Sequence, residues 1–132
     1  MPQSISSKHH LREATGEDTP TILLLLKEYL DEQSRLDPTF GVSLNWRDVS
    51  VSFIDKILES DNYHLWVTAD HELDSPTGFI LFGLNLEPVF AQQHRGYISD
   101  LYVSPKLRGQ SLGTALVNKA IETLKESGAD FI

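Results

Sequence analysis

At 132 residues, with 40% hydrophobic and 23% charged, the chain has the length of one compact domain and the balance of a globular protein rather than a disordered one. It contains no cysteine, which excludes a disulfide framework, a thiolate zinc site and a cysteinyl nucleophile. A formal net charge of −8 argues against general nucleic-acid binding, which needs clustered Lys and Arg, and suits a neutral or cationic small substrate.

No apolar run in the sequence approaches the roughly 20 residues that span a bilayer, and MPQSISSKHHLREA at the N-terminus lacks the apolar stretch of a secretory signal. No membrane association and a cytoplasmic location are therefore expected. HHLREAT (9 to 15) reads as a short edge strand with Leu11 inward, broken by Gly16. Asp18 or Thr19 is placed to cap a helix whose first turn holds Pro20. Ile22, Leu23, Leu26, Tyr29 and Leu30 recur at helical spacing, so the helix is predicted from about 19 to 34. RLDPTFGVSLNW (35 to 46) interrupts the period with Pro38 and Gly41 but keeps Phe40, Leu44 and Trp46, as a core lid or a substrate-side wall would. Asn45 is expected to cap a second helix carrying Val49, Phe53, Ile54, Ile57 and Leu58 on one face, ended by Asp61-Asn62.

YHLWVTA (63 to 69) alternates as a half-buried strand does, and DHELDSPTG (70 to 78) is a turn. FILFGLNLE (79 to 87) is nearly all apolar, as a central strand covered on both faces should be. Pro88 to Gly96 connects it to another strand, YISDLYV (97 to 103). A helix follows, with Leu112, Leu116, Val117, Ala120, Ile121 and Leu124 on one face and Gly128 as its C-cap. ADFI then opens a further strand. The order β-α-α-β-β-β-α-β predicts an α/β (α+β mixed) domain in which the last strand–helix–strand unit is a right-handed parallel crossover.

The stretch that calls for chemistry is SPKLRGQSLGTAL (104 to 116), a glycine-containing, partly basic turn between a strand and a helix. A helix N-terminus offers unpaired amides and the positive end of its dipole, and glycine lets main chain approach a ligand closely. Together they form a phosphate site, with Lys106 and Arg108 adding charge at its mouth. A plain tight connection would use the same residues. No Lys follows Gly113, so the nucleotide-hydrolase loop fails, and Gly-x-Gly-x-x-Gly is absent. The five histidines are scattered without ligand spacing, so no metal site is expected.

YISDLYVSPKLRGQSLGTALVNKAIETLKESGADFI closely resembles the acetyl-coenzyme A binding core of the GCN5-related N-acetyltransferases, whose pattern is Arg/Gln-x-x-Gly-x-Gly/Ala at a helix start. Arg108, Ser111 and Gly113 occupy those positions, with Ser111 where the family usually has glycine. LREATGEDTPTILLLLKEYL is similar to the family's first strand and helix, and the order of elements agrees from about residue 10.

The resemblance implies a central mixed sheet whose strand 97–103 splays from its parallel neighbour, with acetyl-CoA as co-substrate in the gap. Main-chain groups of Leu101, Tyr102 and Val103 would pair with the pantetheine arm. The amides of Gly109, Gln110, Ser111, Leu112, Gly113 and Thr114, beside Arg108, would hold the pyrophosphate. An amine would attack the thioester directly, with Asp100 as the first candidate base. A structural carboxylate is the alternative for Asp100, Ser99 stands where some relatives carry Glu, and Glu87 and Asp37 are weaker bases. Many relatives protonate the thiolate with a Tyr on a helix after the fifth strand; Tyr29, Tyr63, Tyr97 and Tyr102 do not match that position.

The expectation is one N-acetyltransferase domain over 1–132, truncated after the start of its fifth strand or completed by a partner subunit as a homodimer. Its acceptor would be a small amine, polyamine or amino-acid-like molecule. The alternatives are a protein N-acetyltransferase, a non-catalytic coenzyme A sensor of the same fold, and, least of all, a kinase-like phosphate-binding enzyme.

Overall fold

A computed structural model of the chain describes residues 8–39, 41–86 and 94–132. Four strands, β1 (His9–Glu13), β2 (Tyr63–Asp70), β3 (Pro76–Leu86) and β4 (His94–Val103), form an antiparallel sheet in the order β1-β2-β3-β4. Helices α1 (Thr19–Leu36) and α2 (Trp46–Glu59) lie between β1 and β2, and α3 (Leu112–Glu126) follows β4. The sheet becomes mixed at its β4 edge, where Phe131 makes a parallel bridge to Arg95. Gly96 N–H donates to the Phe131 carbonyl at 2.8 Å, and Asp130 N–H to that of His94 at 2.8 Å. The expected fifth strand thus begins where the sequence placed it, parallel to β4.

Two cores sandwich the sheet. On one face Ile22, Leu23 and Leu25 of α1 and Ile54 and Ile57 of α2 pack on Leu65, Val67, Phe79 and Tyr102. On the other, Leu112, Leu116, Ala120 and Leu124 of α3 cover Ile80, Phe82 and Val103. Phe79, Ile80 and Phe82 are all buried, which explains the unbroken apolar reading of β3: it is central, and alternate side chains enter opposite cores.

Several sequence expectations shift for identifiable reasons. β4 starts at His94 rather than at 97, because His94, Arg95 and Gly96 pair with Leu86, Asn85 and Leu84 of β3, partners that their turn-like composition hides. Asp18 stands at the N-cap of α1 without capping it by its side chain. Its carboxylate instead binds Arg12 at 2.7 and 2.8 Å and the Thr15 amide at 2.8 Å, and the Arg12 guanidinium holds it below the usual carboxylate range. α2 closes at Glu59 rather than Asp61-Asn62. Val49 and Phe53 were expected on its buried face but are exposed, and each lines a surface cavity. Gly128 ends α3 with φ +93°, a conformation that favours glycine. Phe40, Glu87 and the connection beginning at Pro88 lie outside the described residues up to His94.

Leu116 is fully buried, whereas Leu24 on α1 is 66% exposed. Leu116→Ala should therefore destabilise the fold by about 2–5 kcal/mol, and Leu24→Ala should change it by no more than about 0.5 kcal/mol. Urea unfolding of both variants checks the two-layer core.

Candidate active site

The site is built on an irregularity in β4. Leu81 of β3 pairs with Asp100, but its neighbour Phe82 pairs with Ile98, so Ser99 is an extra residue in β4. Its hydroxyl donates to the Leu81 carbonyl at 3.2 Å. Such a bulge bends and twists the strand that carries it. Before the bulge, β4 bonds to the fifth strand around Phe131; beyond it, from Leu101 to Val103, its outer edge has no strand partner among the described residues.

A cleft of about 530 Å³ lies along that free edge, walled by Tyr29, Glu32 and Gln33 of α1, by Leu101 to Val103, and by the turn into α3. It brings together nearly all the residues assigned from sequence to the co-substrate; Leu101, Tyr102, Val103, Arg108, Gly109, Ser111, Leu112, Gly113 and Thr114 line it, and Gln110 lies in the same turn. The three β4 residues do not offer equivalent groups. Ser104 N–H donates to the Thr77 carbonyl at 2.9 Å, and alternation along an antiparallel ladder then turns the main chain of Tyr102 into β3 and that of Leu101 and Val103 outward. Tyr102 is 5% exposed, as the core partner of the pair; Leu101 is 38% exposed.

The turn ends in a left-handed step. Gly109 has φ +88° and Ser111 φ +64°, and Ser111 is the N-cap of α3 with no side-chain cap bond. Ala115 is the first helical amide to find an acceptor, the Ser111 carbonyl at 3.0 Å. The amides of Gly109 to Thr114 have no acceptor among the described residues, and helix geometry requires that of the first turn. A cradle of unpaired N–H groups at a helix N-terminus, opening into a cleft, fits a diphosphate. Ser111 takes a conformation that an L-residue pays about 1–2 kcal/mol to adopt, which is a backbone reason for glycine there. Gly113 faces open space: an added Cβ would meet only Val103 Cγ2, at 3.9 Å.

Arg108 is committed within the chain. Its Nε donates to the Val103 carbonyl at 3.0 Å, its Nη2 to Glu32 at 3.0 Å, and its guanidinium carbon lies 5.2 Å from the centre of the Tyr102 ring. The Glu32 hydrogen bond holds the guanidinium above its ordinary pKa. The charge expected at the mouth of the cleft therefore staples the turn to α1, and of the outward-facing main-chain oxygens only that of Leu101 stays unclaimed.

Asp100 accepts a hydrogen bond from the Tyr29 hydroxyl at 3.0 Å. Burial, and then this carboxylate, push the Tyr29 phenol upward. Asp100 lines a cavity of about 580 Å³ with Phe53, Lys56, Tyr63, Tyr97 and Ser99. Tyr29 lines the cleft along β4 and a third cavity, of about 550 Å³, with Gly41, Val42, Trp46 and Val49. Part of the 35–46 loop is thus a cavity wall, although Leu44 is fully exposed. Asp37 shapes that loop, its carboxylate accepting from the Thr39 amide at 3.0 Å and hydroxyl at 2.8 Å. Sequence reasoning missed Tyr29, which it read as one of several inward residues of a helix.

A family model described as the acetyltransferase (GNAT) family matches residues 24–132. The chain belongs to that family. It is 38% identical over 53 residues to an uncharacterized N-acetyltransferase of Methanocaldococcus jannaschii; that match covers 40% of this chain and 24% of the relative. A tetramutant protein from Bacillus halodurans aligns over 93% of this chain and 80% of its own with a TM-score of 0.80 at 23% identity. An aminoglycoside acetyltransferase from an uncultured soil metagenomic sample, solved with sisomicin, aligns over 93% and 74% with a TM-score of 0.64 at 19% identity. At those identities the solved structures establish the fold. No described helix is long and apolar enough to cross a membrane.

Ser111→Gly should raise stability by up to about 1 kcal/mol, since it removes the left-handed cost. Ser111→Val should lower it by about 1–2 kcal/mol, because a β-branched side chain fits that conformation worst. The shift in urea midpoint reads both.

Proposed function

We propose that this GNAT-family chain transfers an acetyl group from acetyl-CoA to the amino group of a small acceptor in the cytoplasm. The observation that carries the reading is the row of unpaired amides from Gly109 to Thr114 at the head of a cleft that runs along the free edge of β4. Acetyl-CoA, once bound, supplies the activated acyl group as a thioester. The turn would hold its diphosphate, and Leu101 and Val103 would line its pantetheine arm. From Val103 back to Asp100 the strand covers about 10 Å, enough to set the diphosphate and the reacting carbonyl at separate ends of the cleft.

Direct attack by the amine suits a chain without cysteine. An alkylamine of pKa near 10 must shed a proton, which costs about 4 kcal/mol at neutral pH, and Asp100 beside that end of the cleft is the base. The acceptor is small: cavities of about 580 and 550 Å³ flank the Tyr29–Asp100 pair, within the range of small-molecule sites. The structural likeness to an aminoglycoside acetyltransferase supports an amine of that size. The outer edge of β1, which has no strand partner among the described residues, supports pairing of two copies as a homodimer.

Gly113→Trp should abolish acetyl-CoA binding in calorimetry while circular dichroism stays native, because the side chain would fill the cleft without displacing packed atoms. Asp100→Asn should lower turnover by about 10²-fold in a thiol-release assay over an amine panel and leave the co-substrate dissociation constant within about threefold. Tight binding of acetyl-CoA by the unaltered chain with no thiol released for any amine would reassign it as a coenzyme A sensor.

A further inference from the structure

We propose that the Tyr29 hydroxyl, working with Asp100, carries a proton shed by the acceptor amine across to the departing thiolate. The proposal rests on the acetyltransferase reading above and adds a proton route to it.

Asp100 and Tyr29 line different cavities and are joined by one hydrogen bond. The carboxylate lines the cavity under α2, with Ser99, Tyr97 and Lys56, whereas the phenol lines the co-substrate cleft, with Leu101 and Gly113. Their 3.0 Å hydrogen bond is the link between the two spaces. The other acids of α1 near the cleft are already engaged: Glu32 binds Arg108 at 3.0 Å, and Glu28 accepts from the Tyr102 hydroxyl at 3.1 Å. Asp100 accepts from Tyr29 through one carboxylate oxygen, and among the described residues its other oxygen has no hydrogen-bond partner. The Tyr29 ring is fixed by edge contacts, 6.3 Å from the Phe79 ring centre and 5.8 Å from that of Tyr102, so its hydroxyl is held in position rather than swinging between partners.

In the resting pair, Tyr29 spends its only proton on Asp100, and a phenol held that way is a poor acid. Protonating Asp100 reverses the bond: the new carboxylic acid donates to the phenol oxygen, and the phenol proton is released toward the cleft. The balance closes. The first proton of the ammonium leaves through Asp100 to water. The C–N bond then forms and the C–S bond breaks; the second amine proton goes to Asp100, the Asp100 proton to the Tyr29 oxygen, and the Tyr29 proton to sulfur. Each turnover thus releases one proton to solvent. Both residues end as they began. Proton release into the cleft is thereby tied to arrival of a proton from the acceptor, which disfavours thioester cleavage when no amine is bound.

Tyr29→Phe keeps the ring and removes the hydroxyl. Calorimetry should find its acetyl-CoA affinity within threefold of the parent, while kcat falls at least tenfold with little change in KM. The link itself is read without co-substrate by carbon NMR of the tyrosine Cζ atoms. In the parent, Tyr29 should titrate above an ordinary tyrosine; in Asp100→Asn, which removes the carboxylate charge, its midpoint should fall. Turnover of Tyr29→Phe within twofold of the parent, or a Tyr29 midpoint that Asp100→Asn leaves unmoved, overturns the shuttle while the acetyltransferase reading stands. A parent chain that binds acetyl-CoA and acetylates nothing overturns both.

Discussion

One extra residue in a strand sets the terms for everything else in this molecule. Without Ser99, β4 would keep a single register with β3 from end to end. With it, β4 bends and twists after Ile98, and its outer edge from Leu101 to Val103 has no strand partner among the described residues. A strand edge normally invites aggregation; here α1 and the turn into α3 wall the open edge on both sides, so that a slender ligand can enter and another sheet cannot.

The same irregularity orients the side chains around the Tyr29–Asp100 pair. A bulge shifts the phase of alternation, so Asp100 and Tyr102 both face α1 and α2 while Leu101 and Val103 face α3. That places Asp100 against Tyr29 and Tyr102 against Glu28. Burial and the Glu28 hydrogen bond push the Tyr102 phenol up to about 12, which keeps it a neutral donor and makes it a fixture of the wall. Ser111 solves a related problem at the other end of the cleft. The chain must reverse from an extended turn into α3 with its amides pointing outward, and a left-handed residue does this in one step; glycine would do so more cheaply, and serine tolerates it.

Much of this was legible in the sequence where periodicity is enforced by a core. The faces of α1 and α3, the two-sided burial of β3 and the glycine after α3 follow from side chains that must be buried on one face, on both, or stopped. The turn at 104 to 116 was legible for a different reason, since few backbones other than a helix start use that mixture of proline, glycine and base. What stayed hidden depends on contacts distant in the chain. Tyr29 and Asp100 are 71 residues apart, and no spacing rule connects them. Val49 and Phe53 fit an apolar helical stripe, yet α2 sits against the sheet through Ile54 and Ile57, and its first turns overhang cavities instead. Bulges leave no signature in a run such as YISDLYV, where every residue suits a strand.

Arg108 shows how an acidic chain can host an anionic ligand. Glu28, Asp31 and Glu32 stand on α1 next to the cleft, and their field alone would repel a diphosphate. Pairing Glu32 with Arg108 cancels one charge beside the turn. The same guanidinium, by binding the Val103 carbonyl, removes an oxygen that would otherwise face the cleft unpaired. The ion pair is partly exposed and therefore worth little as stability, so its value is positional. It holds the 108–114 turn against α1 with its amides outward, an arrangement that fits an anion. A lysine at 108 would keep the charge but lose the planar fork that reaches Val103 and Glu32 at once.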